Sequence, residues 1–203
     1  MKTIAIVSLL LLSVLATGAQ AVQFFDFTGQ AVLPAAVGQD AVAYGIILNG
    51  DAPEAPLPLN TPGAQYTLVV TGLTLTGSGA SDVYSGGFVA IYEDASTAAD
   101  YANPSTFRDG AMILGGVLTS LTHTMLLGTL GSANGYVDWN SGARLNDLAP
   151  ADQTGWPFLV AVYRNADLVE PGYTEMWDGK VEPSGDVVAN EDRSWSQVKA
   201  LFR

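Results

Sequence analysis

The chain has 203 residues, 48% of them hydrophobic and 14% charged, with 20 acidic against 8 basic side chains, one His and no Cys. Its formal charge of −12 repels phosphate backbones and anionic headgroups, which sets nucleic acid aside as a partner. Without thiols there is no disulfide, thiol nucleophile, zinc–thiolate site or iron–sulfur cluster, and one imidazole is too few for multi-histidine zinc or copper centres.

In chain order, Lys2 supplies a positive n-region, and residues 4–15 form an apolar run broken only by Ser8 and Ser13. Small residues follow and end in Ala19-Gln20-Ala21, an A-x-A cleavage pattern. The run is about a dozen residues, short of the roughly 20 a spanning helix needs. Residues 1–21 therefore read as a signal peptide cleaved after Ala21, and the mature chain as secreted. No later apolar stretch is long enough to span a membrane as a helix.

The remainder reads as short apolar or alternating runs separated by Gly, Asn, Asp and Pro clusters, which is the pattern of antiparallel strands. Candidate strands cover 24–33, 41–48, 66–76, 88–92, 111–119, 121–130, 136–140, 156–164 and 173–181. The Pro-rich stretch 49–58 cannot donate to a sheet interior and reads as a surface loop. Within 66–76, Leu68 and Val70 share one parity while Leu73 and Leu75 share the other. A bulge at Gly72 would keep all four on one face. The cluster 131–135 reads as a turn. Nine such strands and no βαβ alternation predict a single antiparallel β-sandwich over 22–182. Residues 183–203 predict a linker and a short C-terminal helix, with Ser194 and Gln197 as a capping box and Trp195, Val198 and Phe202 on one face.

The run Ile91-Tyr92-Glu93-Asp94, with Ala99-Asp100-Tyr101 and Pro104-Ser105-Thr106-Phe107-Arg108-Asp109-Gly110 after it, resembles a motif of uncharacterised, exported bacterial β-sandwich domains. The resemblance extends through the strand from Met112 and the closing 173–181 segment. It implies a bacterial, extracytoplasmic all-β domain and carries no catalytic residues.

Four constellations could carry chemistry. His123 shares the apolar parity of Leu121 and Met125, which suits a core or edge histidine bonded to a backbone carbonyl better than a general base. No G-x-S-x-G elbow offers it a nucleophile. Glu175 and Asp178 flank Trp177 as a glycosidase pair would, but on an alternating strand they face opposite sides and read as solvated surface charges. The acids Glu93, Asp94, Asp100 and Asp109 supply hard oxygen ligands for calcium on loops, without an EF-hand pattern; turn chemistry is their other reading. Trp139 and Trp177, beside turns and acids, are the conceivable platform for a stacked sugar, against ordinary core packing.

Together these features predict a secreted or cell-surface domain that is not an enzyme and has a structural or adhesive role, with an extracellular protein or glycan as partner. No cofactor is expected beyond possible calcium. A carbohydrate-binding module is the alternative, and a carboxylate-based hydrolase the third reading.

Overall fold

The computed structural model describes residues 25–49 and 57–183. The leader with its cleavage site, most of the Pro-rich loop and the C-terminal capping-box segment lie outside the described residues.

Eight strands form: β1 Phe25–Val32, β2 Asp40–Ile47, β3 Gln65–Gly77, β4 Asp82–Asp94, β5 Ala111–Leu127, β6 Leu130–Ser141, β7 Trp156–Tyr163 and β8 Glu175–Val181. Each pairs antiparallel with the next, and β8 returns to β1 from Phe25↔Val181 to Ala31↔Glu175, so the sheet closes into a barrel. The expected nine-stranded β-sandwich is corrected accordingly. Alternating burial is common to both architectures; what separates them is the pairing of the first strand with the last, which no local pattern announces.

One misread segment accounts for the strand count and another for the length of β6. Residues 111–119 and 121–130 were expected as separate strands, and the apolar parity does change between them. In the structure one 17-residue strand runs through, and its register against β6 slips between Leu118 and Ser120. The supposed turn at 131–135 is part of β6. Gly131 and Gly135 face the barrel interior, where a Cβ on Gly135 would collide with the Ser120 carbonyl. These glycines permit close approach of strands rather than a reversal.

The Gly72 bulge is present. Gly72 has φ +63, the register against β2 shifts between Ala41 and Ala43, and Leu68, Val70, Leu73 and Leu75 are all buried. A regular strand would have turned one leucine pair to solvent.

The lumen is filled by side chains. Phe25 stacks on Trp156 at 6.2 Å, Trp156 meets Trp139 edge-on at 5.6 Å, and Phe27, Phe158 and Trp177 continue the aromatic column. Leu57, Leu59 and Leu148 from the connecting loops close the end that holds Trp139 and Trp156. Each such fully buried side chain contributes roughly 1.5–3 kcal/mol.

A second apolar cluster lies outside the barrel wall. Tyr44 and Val69 project outward from β2 and β3 and are covered by Phe107, Tyr101 and Tyr173. The 95–110 connection is thereby strapped across the wall, with Tyr101 donating to the Thr28 carbonyl and Tyr173 to the Tyr101 carbonyl.

Candidate functional site

The feature with most chemical content is a charged cluster inside the barrel, at the end carrying the β1–β2, β3–β4, β5–β6 and β7–β8 turns. His123 on β5 and Glu175 on β8 both occupy inward parity and are 1% and 0% exposed. Their side chains meet across the lumen, Nε2 to Oε2 at 3.2 Å. Arg164, just past β7, donates its Nε–H to the same oxygen at 3.1 Å. Trp177, two residues along β8 and therefore on the same inward face, donates Nε1–H to Oε1 at 2.6 Å. Asp82, at the start of β4, places Oδ2 3.8 Å from His123 Nδ1.

The electrostatics follow from this geometry. Burial, the largest single influence, would push the Glu175 carboxyl upward. The hydrogen bonds from His123 and Trp177, the His123 charge and the Arg164 bond outweigh it and hold Glu175 below its ordinary value. Tyr84, inward on β4, is pushed up to about 12 by burial first and then by the charges of Asp82 and Glu175. Glu175 is thus an ionised acceptor with both oxygens engaged. A general acid needs the opposite shift.

The expectations for individual residues fare differently. His123 is a core residue on the apolar parity, as its strand position implied, but its partner is a carboxylate rather than a backbone carbonyl. Glu175 and Asp178 do face opposite sides; Asp178 is exposed, whereas Glu175 is buried and not the solvated surface charge expected. Trp177 and Trp139 are 1% and 2% exposed, so neither presents a ring face on which a sugar could stack. Trp139 belongs to the aromatic column, and its Nε1 has no hydrogen-bond partner among the described residues.

Of the four acids proposed for calcium, Glu93 and Asp100 are engaged apart and Asp94 lies beside Asp109. Glu93 accepts from the Tyr66 hydroxyl at 2.7 Å. Asp94 accepts from the Ser96 amide and hydroxyl and from the Thr97 amide, bonds that hold its carboxyl below the usual range, and Asp109 is within hydrogen-bonding reach of it. Asp100 accepts from the Ala102 amide in an Asx turn. Among the described residues no group of three or more His, Asp or Glu side chains could hold a metal ion.

Grooves on the outside of the barrel include two formed by described residues. One, of about 550 Å³, runs between the 61–66 segment and Asp94–Ala98. The other, of about 460 Å³, has Leu159 and Ala161 in its floor and Ser132, Asn134, Asp178 and Lys180 around it. Neither is lined by His123 or Glu175.

No family model, curated protein or solved structure matches this chain.

Proposed function

We propose that this chain acts outside the cytoplasm as a non-catalytic barrel with a structural or adhesive role, meeting its protein or glycan partner on its outer surface. The leader pattern at 1–21 supports the location. The observation that carries the rest is the engagement of Glu175: Trp177, His123 and Arg164 occupy both its oxygens deep in a filled lumen. Such a cluster ties β5 across the lumen to β8 and to the end of β7, in keeping with a scaffold. A carboxylate hydrolase would need a second acid facing Glu175 across a cleft; Asp178 points the other way, and the imidazole of His123 stands between Glu175 and Asp82.

The groove over Leu159 and Ala161 favours carbohydrate as the second reading of the partner. An apolar floor ringed by Asn, Asp, Ser and Lys side chains offers hydrogen bonds to hydroxyls without the buried indoles.

Cell fractionation with surface protease treatment tests the location, and the recovered protein should begin Val22-Gln23-Phe24. A panel of chromogenic glycoside and ester substrates tests the absence of catalysis. Turnover that disappears in Glu175→Gln or His123→Ala, with the fold retained, would overturn the proposal.

A further inference from the structure

The sequence of residues 194–203 is that of a short amphipathic helix with two unlike edges. Trp195, Val198 and Phe202 share one face. Lys199 and Arg203 run along one edge of that face, and Ser194 and Gln197 lie along the other. Glu191 and Asp192 precede it, at the positive end of the helix dipole. A helix of about ten residues is not stable by itself in water, so the apolar face needs a surface that covers it.

The groove over Leu159 and Ala161 has the complementary arrangement. Both residues face outward from β7, between the inward Phe158, Val160 and Val162. On the β6 side they are flanked by the neutral Ser132 and Asn134. On the β8 side stand Asp178 and Lys180, with Asp26 of β1 beyond them. Lys180 is paired with Glu182 at 2.7 Å, so three acids face one base and this edge is net negative. The exposed Leu48 adds an apolar lip to the groove. An apolar floor with one acidic and one neutral edge thus meets a helix with an apolar face, one basic edge and one neutral edge.

The chain is also delivered to this wall. β8 ends at Val181, and the Glu182 amide donates to the Pro157 carbonyl, two residues from Leu159. Residues 184–193 span up to about 35 Å when extended, whereas Leu159 is one strand from Lys180, about 5 Å away. A tether of that length holds the tail at high local concentration beside the groove, so a modest contact suffices to seat it. We propose that residues 194–203 fold back as a helix onto the β6–β8 wall of their own chain. Trp195, Val198 and Phe202 then lie over Leu159 and Ala161, with Lys199 and Arg203 toward Asp178 and Asp26. The inference stands apart from the glycan reading of this groove; a glycan seated there has to displace the tail.

Trp195 reports the contact, because Trp139, Trp156 and Trp177 are buried inside the barrel. Subtracting the emission of full-length Trp195→Phe from that of the full-length chain isolates its signal. That signal should be blue-shifted and severalfold less quenched by acrylamide than the same residue in a free peptide of residues 184–203. Asp178→Lys, at an exposed site, should raise the quenching severalfold at low salt. Ala161→Arg should bring it to the peptide value, with the far-ultraviolet circular dichroism of the barrel unchanged in both. A red-shifted, freely quenched Trp195 in the full-length chain overturns the proposal. So does shielding that neither variant alters, which would place the tail on another surface. Shielding that is lost on dilution also overturns it, because the tail would then sit on a second copy of the chain.

Discussion

Replacing Glu175 by Gln preserves the shape of the buried side chain and removes only its charge. The Trp177 bond can survive on the amide oxygen, but an NH₂ group then faces two donors, His123 Nε2 and Arg164 Nε, that had shared Oε2 at 3.2 and 3.1 Å. Breaking one side of a buried ion pair costs roughly 3–5 kcal/mol when the other side cannot escape. The Arg164 side chain is 38% exposed and can turn toward water; that of His123 is 2% exposed and cannot. Because one of the two partners can escape, the loss falls at or just below the lower end of that range, and Glu175→Gln should lose about 2–3 kcal/mol. For a chain of this size that is a fall in Tm of about 5–10 °C. Glu175→Ala should lose more, about 4 kcal/mol, because it also leaves a cavity and strands the Trp177 N–H.

The pH dependence has a definite sign. Glu175 titrates below its ordinary 4.5 in the native barrel, so the unfolded chain takes up its proton first as pH falls. Its contribution is complete above that ordinary value and is lost as pH drops from 4.5 toward the lower native value. Urea unfolding followed by tryptophan fluorescence, for wild type and Glu175→Gln from pH 7 down to pH 3, reads both quantities. The two curves should converge at the acid end. A loss under about 0.5 kcal/mol at pH 7, or a variant more stable than wild type, would refute the claim that this cluster braces the barrel.

At Gly72 the backbone sits at φ +63 with nothing within 4 Å of a would-be Cβ, so only conformation is at stake. Urea titration should rank Gly above Asn, Asn above Ala and Ala above Val, with Val costing about 1 kcal/mol or more. Gly135→Ala meets the Ser120 carbonyl, which is backbone and cannot swing aside; thermal melts should show about 1–3 kcal/mol lost despite unremarkable φ. Phe107→Ala removes the fully buried ring beneath the strap and should cost about 3–5 kcal/mol, with amide exchange accelerated over 95–110 before the strands.

The all-β class, most strand positions and the bulge were legible because each is a local pattern. Parity along Leu68, Val70, Leu73 and Leu75 is enough to require a slip at Gly72, and the structure supplies one. Closure was not legible, since the Phe25↔Val181 pairing joins residues that share no sequence neighbourhood. The cluster was half legible. Parity placed His123 inside, and the same count places Glu175 inside with Trp177, Gly179 and Val181, all on the apolar face of an alternating strand. Reading Glu175 against Asp178 as a pair hid this, because it asked whether the two acids act together rather than where each one points. An acid and an imidazole on apolar parities of different strands should be tested as partners before either is assigned to solvent.

The residues that carry the motif from 91 to 110 acquire a physical reading from the same kind of placement. Tyr92, Ala99, Tyr101 and Phe107 gather with Tyr44 and Val69 on the outer wall, and Tyr173, from the loop before β8, closes over them. Tyr101 contacts Phe107 at 4.9 Å and Tyr173 at 5.8 Å, and Tyr44 contacts Phe107 at 5.4 Å. Thr67 donates to the Phe107 carbonyl, and Pro104–Phe107 form the short 3-10 turn that presents the ring inward. Gly110 is required where the strap rejoins β5, since a Cβ there would strike the Glu93 carbonyl. The acids in the segment cap its turns: Asp94 holds Ser96 and Thr97, and Asp100 holds Ala102. Aromatic anchors, a proline-started turn, capping acids and one obligatory glycine are what a loop needs to lie flat on a barrel wall with its amides satisfied. The spacing in this segment is therefore explained by folding alone.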